Sequence, residues 1–396
     1  MDSKKTHDNS AGPSDGIDGK HRILMFFPGK IESLPPLLTS SVAMKIHGAE
    51  VRVVAFSSSD STLQYLKNQN IEVILVRNEH PCSLVQKAFM WLESFWVLYK
   101  QKRSFKPTCL WFHLGHVFII QAFIPFLKTG VSIAVQVHEL VSYSRFLFML
   151  ANRLIRKAEI VILSEKNRAF IIKEFSRSRA RFIIIPNRPL EDAIPAEGSK
   201  SATRQIFQSH GGSDQCREFL IYQGIFTDDR CLVEIVSAFH SFQRDDVGLI
   251  LMGGTLESGF VNNLRKICHS DKRVVIIGHI PPPDHLSITK GCYAGIALYA
   301  PTRLNQIYCA PNKIYEFAAC GIGMILPDFP GMAEIAYKHH IAVLCNPSGP
   351  RLHPSGDETI LSCEIDKSKT SDFLKSDIDP KIAYHEVYKF LDSVVE

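Results

Sequence analysis

Short runs of nearly unbroken apolar residues recur along the first half of the chain: ILMFF (23–27), VRVVAF (51–56), EVILV (72–76), CLWF (109–112), IAVQVH (133–138), IVILS (160–164) and FIIIPN (182–187). Continuous apolar character, as opposed to alternation, predicts strands covered on both faces. Helical patterns fill the gaps, among them LTSSVAMKIHGAE after the first run and SRFLFMLANRLIRKAE before the sixth. Strand and helix in alternation predict a doubly wound parallel sheet.

The rhythm breaks over residues 191–218, a polar stretch with Gly and Ser breakers that reads as an interdomain linker with room for one helix. It restarts with FLIYQG (219–224), GLILMG (248–253), VVIIG (274–278), GIALY (295–299), GMILP (323–327) and IAVLCN (341–346). The expected organisation is a disordered tail (1–20), an α/β domain (21–190), the linker, a second α/β domain (219–377) and a C-terminal helix (378–396) with Pro380 in its opening turn. Two Rossmann-like sheets facing one another leave a cleft beside the strand ends.

Composition is that of a globular protein, and 396 residues suffice for two cores. The ten cysteines have neither disulfide nor zinc spacing, which predicts small buried hydrophobes in a reducing compartment. With no apolar leader and no apolar stretch of spanning length, a cytoplasmic protein is expected. Charge is uneven: residues 21–190 hold 23 Lys and Arg against 10 Asp and Glu. That imbalance fits either an ordinary solvated basic face or an anionic partner, a membrane surface among them. The segment KAFMWLESFWVLYKQKRSFK (87–106) likewise fits a core helix or, with its aromatics and basic end, a helix resting on an anionic bilayer, which would make the protein peripheral.

The candidate chemistry gathers in YCAPNKIYEFAACGIG (308–323). Pro311 suits the first turn of a helix of about ten residues and Gly321 the position just past its end. The amides at such a helix start favour an anion such as phosphate. Glu316 lies about one turn further in, where acceptor-only oxygens suit the hydroxyls of a ribose. Taken alone, the segment also fits an exposed acid on an ordinary short helix. His138 and His113 end apolar strands at the expected cleft, the former better placed for a site and the latter for burial.

APNKIYEFAACGIGMILPDFPGMAEI (310–335) resembles the donor-binding segment of family-four GT-B glycosyltransferases, in the subgroup with Pro-Asn-Lys before the glutamate. YQGIFTDDRCLVEIVSAF (222–239) resembles that family's strand, glycine loop and helix, and VQVHEL, ILSEKN and IIIPNRPL match segments of its first domain in order. The resemblance covers roughly residues 22–347. It implies the GT-B fold, retaining transfer from a UDP- or GDP-sugar to a saccharide or lipid-linked acceptor, and no required metal or cofactor. Residue by residue, it implies that Glu316 binds ribose, Arg230 beside Gly224 grips the diphosphate, Asn312 and Lys313 start the helix beneath it, and His138 contacts the donor sugar and supports transfer. Gly29 and Lys30 would approach the diphosphate from the other domain, where the family more often has paired glycines.

Two positions depart from the pattern. Tyr308 stands where the family usually has a second glutamate, and Ile225 where a basic residue commonly follows the loop glycine. Both leave room for other functions: a catalytically silent nucleotide-sugar-binding subunit, or a GT-B sugar-nucleotide epimerase. Nucleic-acid binding would explain the basic half but not the paired sheets, so no nucleic-acid partner is expected. Asp377 and Asp379, the one Asp-x-Asp, read as a helix cap, and no metal site is expected.

Overall fold

Each apolar run forms a strand in the computed structural model, which describes residues 21–76, 84–114, 130–140, 145–188, 198–254, 259–268, 270–281, 284–309, 311–345, 368–376 and 380–395. The tail 1–20 and the Asp377/Asp379 pair lie outside the described residues. The first sheet contains β1 (Arg22–Lys30), β2 (Glu50–Ser57), β3 (Glu72–Leu75), β4 (Cys109–Leu114), β5 (Ser132–Val137), β6 (Ile160–Leu163) and β7 (Arg181–Ile184). They run in the order β3-β2-β1-β4-β5-β6-β7, every pairing parallel. All residues of β4 and β6 are buried, whereas the edge strands β3 and β7 are partly open.

Helices cover both faces, which is why the strands are apolar throughout. On one side α1 (Pro35–Ile46) and α2 (Asp60–Asn68) pack on Ile23, Met25 and Trp111. On the other, α3 (Leu84–Phe105), α4 (Arg145–Ile155) and α5 (Lys166–Ser176) pack on Leu24, Phe26 and Phe112.

The second sheet has β8 (Glu218–Gln223), β9 (Val247–Met252), β10 (Val274–Ile277), β11 (Ala294–Ile296), β12 (Gly323–Pro327) and β13 (Ala342–Cys345). Its order is β10-β9-β8-β11-β12-β13, again all parallel. Around it lie α6 (Lys200–Ser209), α7 (Leu232–His240), α8 (Gly259–Cys268), α9 (His285–Lys290), α10 (Leu304–Ile307), α11 (Asn312–Ala319), α12 (Pro330–His339) and α13 (Lys369–Ser376). α6 falls within the stretch read as linker, yet its Phe207 is fully buried, 5.0 Å from Phe219 between ring centroids. One buried aromatic thus makes the end of that stretch part of the second core.

The last helix, α14 (Pro380–Val395), returns to the first sheet. Tyr384, Val387 and Leu391 join the core beside α1, and His21 Nε2 lies 2.7 Å from Asp392 Oδ1. The eight described cysteines are free and buried. Among the described residues no helix is long and apolar enough to cross a membrane.

In each sheet the strand order reverses beside its first strand, between β1 and β4 and between β8 and β11. At such switch points the connecting loops diverge and open a crevice at the carboxyl ends of the strands. The residues of the candidate site follow those ends.

Candidate functional site

A cleft of about 360 Å³ lies between the two sheets. His138, Glu139 and Arg168 line it from the first domain, and Ile225, Asp229, Arg230, Tyr299, Arg303, Asn305 and Gln306 from the second.

Its cationic corner is built around Gly224. This glycine follows β8 with φ +132°, a conformation L side chains rarely adopt, and a Cβ there would come within 3.0 Å of the Lys313 Nζ. The Lys313 ammonium rests 4.1 Å from the Tyr222 ring centroid and 5.7 Å from that of Tyr299. The Arg230 guanidinium lies over the same Tyr299 ring at 4.5 Å. Ring faces hold the two cations close together, and Asp229 Oδ1, 3.8 Å from Arg230 Nε, offsets part of their charge. Burial, with the Arg230 charge adding to it, pushes the Lys313 ammonium down to about 7. An arriving anion would reverse that shift.

Glu316 has partners that its local sequence does not contain. Its Oε2 accepts from Gln223 Nε2 and lies 3.5 Å from His285 Nε2. Gln223 in turn accepts from Thr289 Oγ1 at 2.6 Å. The carboxylate is therefore held at one oxygen by β8 and α9. With Asn312 it lines a crevice facing Pro35, Pro36 and Thr39 at the start of α1.

Helix α11 itself has eight residues, with Pro311 as the extended N-cap residue and Asn312 as the first helical one. Pro311 thus sits one position earlier than expected. At the other end Gly321 has φ +69°, its N–H donates to Ala318 O at 2.9 Å, and Ile322 donates to Phe317 O at 3.1 Å. That pair of bonds is the Schellman arrangement, and it explains the glycine.

Across the cleft, His138 follows β5 and stacks on the fully buried His113 of β4. The His113 Nδ1 and His138 Nε2 are 3.1 Å apart, so one ring donates to the other. Burial, and then the Arg168 charge, push His138 down to about 3, and burial with His138 beside it holds His113 well below the usual imidazole range. Both rings are therefore neutral at pH 7.

Arg168, in the first turn of α5, is 4% exposed and joins the two domains. Its Nη1 donates to His138 O at 2.7 Å and its Nη2 to Asn305 O at 3.0 Å, while Nε donates to Tyr308 O. Asn305 Oδ1 also accepts from Leu140 N at 2.9 Å.

The structure thus brings His138 and Arg230 to one cleft, sets Lys313 behind Arg230 on the shared Tyr299 ring with Gly224 against it, and puts Glu316 and Asn312 in the crevice. It does not bring Tyr308 to the cleft: that side chain packs against the core of the first domain, and only its carbonyl serves the seam. Gly29 and Lys30 line neither the cleft nor the crevice. β1 continues through them after a register shift between Phe27 and Lys30, and the Lys30 side chain is exposed. Arg168, Tyr299, Gln223 and His285 were not legible. The stretch ILSEKN ends one residue short of Arg168, and nothing local marks the others.

No protein-family model matches the chain. Over 188 residues it is 24% identical to a chitobiosyldiphosphodolichol beta-mannosyltransferase of Debaryomyces hansenii, a stretch covering 44% of this chain and 39% of that protein. Among solved structures it resembles a glycosyltransferase from Rickettsia africae, with TM-score 0.73 and 11% identity over 95% of this chain and 99% of that one. It also resembles Anabaena HepE in complex with UDP-glucose, with TM-score 0.73 and 16% identity over 94% and 100%. The chain has the GT-B fold of these glycosyltransferases.

Proposed function

We propose that this protein is a glycosyltransferase of glycan synthesis, moving a sugar from a UDP- or GDP-sugar to a saccharide or lipid-linked acceptor. The observation that carries the reading is the cationic corner: Arg230 and Lys313 share the Tyr299 ring at the edge of an interdomain cleft, beside Glu316 and the start of α11. Transfer needs negative charge on a departing diphosphate to be stabilised, and two fixed cations beside a helix N-terminus do that electrostatically. Glu316, held at Oε2, keeps Oε1 for a ribose hydroxyl. His138, neutral, would act on the donor sugar as a hydrogen-bonding group.

The donor class is supported by the UDP-glucose complex of HepE, and a lipid-linked acceptor by the name of the Debaryomyces relative. Retention of configuration is the outcome that the family resemblance implies, and NMR of the product's anomeric centre tests it. The first experiment is a thermal-shift screen of UDP, GDP and their sugars against the wild type and Glu316→Ala. A nucleotide should stabilise the wild type and lose most of its effect on the variant. Equal shifts in the two proteins would sink the ribose assignment, and interconversion of UDP-sugars without acceptor would replace transfer by epimerisation.

A further inference from the structure

Helices α3, α4 and α5 form one layer on one side of the first sheet. Met90 and Leu98 of α3, Leu154 of α4 and Ile172 of α5 point inward to a common core. The opposite faces of these helices hold large apolar side chains in the open. Phe89, Leu92 and Trp96 are 63–65% exposed, Met149 is 56%, and Phe170 and Phe175 are 70% and 60%. Phe89, Leu92, Trp96, Tyr99 and Arg103 recur at spacings of three and four, so they form a single stripe along α3. The core reading of this helix accounts for its inner face and leaves the stripe unexplained.

Charge decides what would cover it. The three helices hold nine Lys and Arg against two acids, Glu93 and Glu174, and seven of the nine are left once the buried Arg168 and Lys166, paired with Glu334, are set aside. The basic residues flank the apolar ones: Lys100 and Arg103 end the stripe of α3, Arg153 lies one turn beyond Met149, and Lys173 lies between Phe170 and Phe175. Arg103 also rests over the Tyr99 ring at 5.3 Å, and Tyr99 is stacked on Trp96. Tryptophan, tyrosine and phenylalanine fringed by cations suit the headgroup region of a bilayer, where the rings enter the acyl boundary and the cations meet lipid phosphates. A protein partner would need acids opposite these cations and a matching apolar face, whereas an anionic bilayer supplies both without a fixed shape.

We infer that the outer face of α3–α5 is a docking surface for an anionic lipid bilayer. The surface lies beside the cleft, because the first turn of α5 carries Arg168 at the cleft wall. The inference is independent of the transfer reaction.

The test is co-sedimentation of the full chain with vesicles of phosphatidylcholine alone or with about 30% phosphatidylglycerol. Binding is expected to the anionic vesicles, weakened by about 0.5 M salt, with a blue shift of tryptophan emission. Trp111 is fully buried and Trp91 partly so, which leaves Trp96 as the reporter, and Trp96→Phe should remove the shift. The double variant Leu92→Ser/Trp96→Ser should bind at least about tenfold more weakly, since interfacial affinity scales with buried apolar area. Its melting curve and its thermal shift with UDP should match those of the wild type, which separates this surface from the donor site. Absence of binding to anionic vesicles, equal binding to both vesicle types, or unchanged binding by the double variant would each overturn the inference. So would a wild-type dimer in sedimentation that the double variant dissociates, because a second copy would then cover the face.

Discussion

His113 and His138 lie face to face, their ring centroids 5.3 Å apart and their planes 4° from parallel, with a single hydrogen bond between them. Neither ring can take a second proton without placing charge in a buried site beside Arg168. The pair therefore makes stability depend on pH. The unfolded chain binds protons on both histidines below about 6.5, whereas folded His138 does so only near 3. Stability that is present above about 6.5 is lost as pH falls below it. Urea midpoints should drop steadily between about pH 7 and pH 5, and His113→Phe should make the fall shallower. A midpoint flat across that range would show that the two rings are protonated in the fold.

Lys313 has the opposite consequence for binding. Its folded value of about 7 lies below the ordinary 10.5, so between those values the folded chain has released a proton that the unfolded chain keeps, and stability rises with pH. A bound diphosphate favours the ammonium form. Nucleotide binding at about pH 8 should therefore take up protons, seen as a calorimetric enthalpy that varies with the ionisation enthalpy of the buffer. Lys313→Met should abolish that variation and weaken UDP or GDP binding by about 10- to 100-fold, the worth of a charge-assisted hydrogen bond. Buffer-independent enthalpies for the wild type would remove Lys313 from the donor site.

Gly224→Ala tests whether the corner depends on its glycine. A methyl group there meets a backbone at φ +132° and the Lys313 side chain at 2.9 Å. Destabilisation of about 1–3 kcal/mol is expected, together with a loss of nucleotide affinity as Lys313 shifts. Wild-type stability with wild-type affinity would show that the loop relaxes freely.

Arg168→Met leaves three carbonyls, two of them in the second domain, without their donor. Buried acceptors stripped of a charged donor are costly, and a loss of about 3–5 kcal/mol is expected in urea unfolding. Arg168→Lys should recover only part of it, because an ammonium lacks the planar fork that reaches three oxygens. Small-angle scattering should show a more open domain arrangement in Arg168→Met, and an unchanged profile with unchanged stability would make the seam incidental.

The strands were readable because each is covered on both faces, so its apolar run is continuous and owes nothing to its neighbours. The end of α11 was readable for a similar reason: Gly321 answers a local backbone need that no distant residue changes. Glu316 stood out as the single acid of YCAPNKIYEFAACGIG, whereas Arg230 and Lys313 were named through the family resemblance.

What surrounds them could not be read that way. Gln223 and His285 hold the Glu316 carboxylate from 93 and 31 residues away, and Arg168 reaches Tyr308 across 140. Tyr308 turned to the first core instead of the cleft, and Gly29 and Lys30 stayed at the end of a strand, because domain packing and a register shift decide such directions. Local sequence determines which backbone segments can form and which carry charge. Only the closure of two sheets against each other decides which of those charges meet, because desolvation and partners come from residues that are distant in the chain.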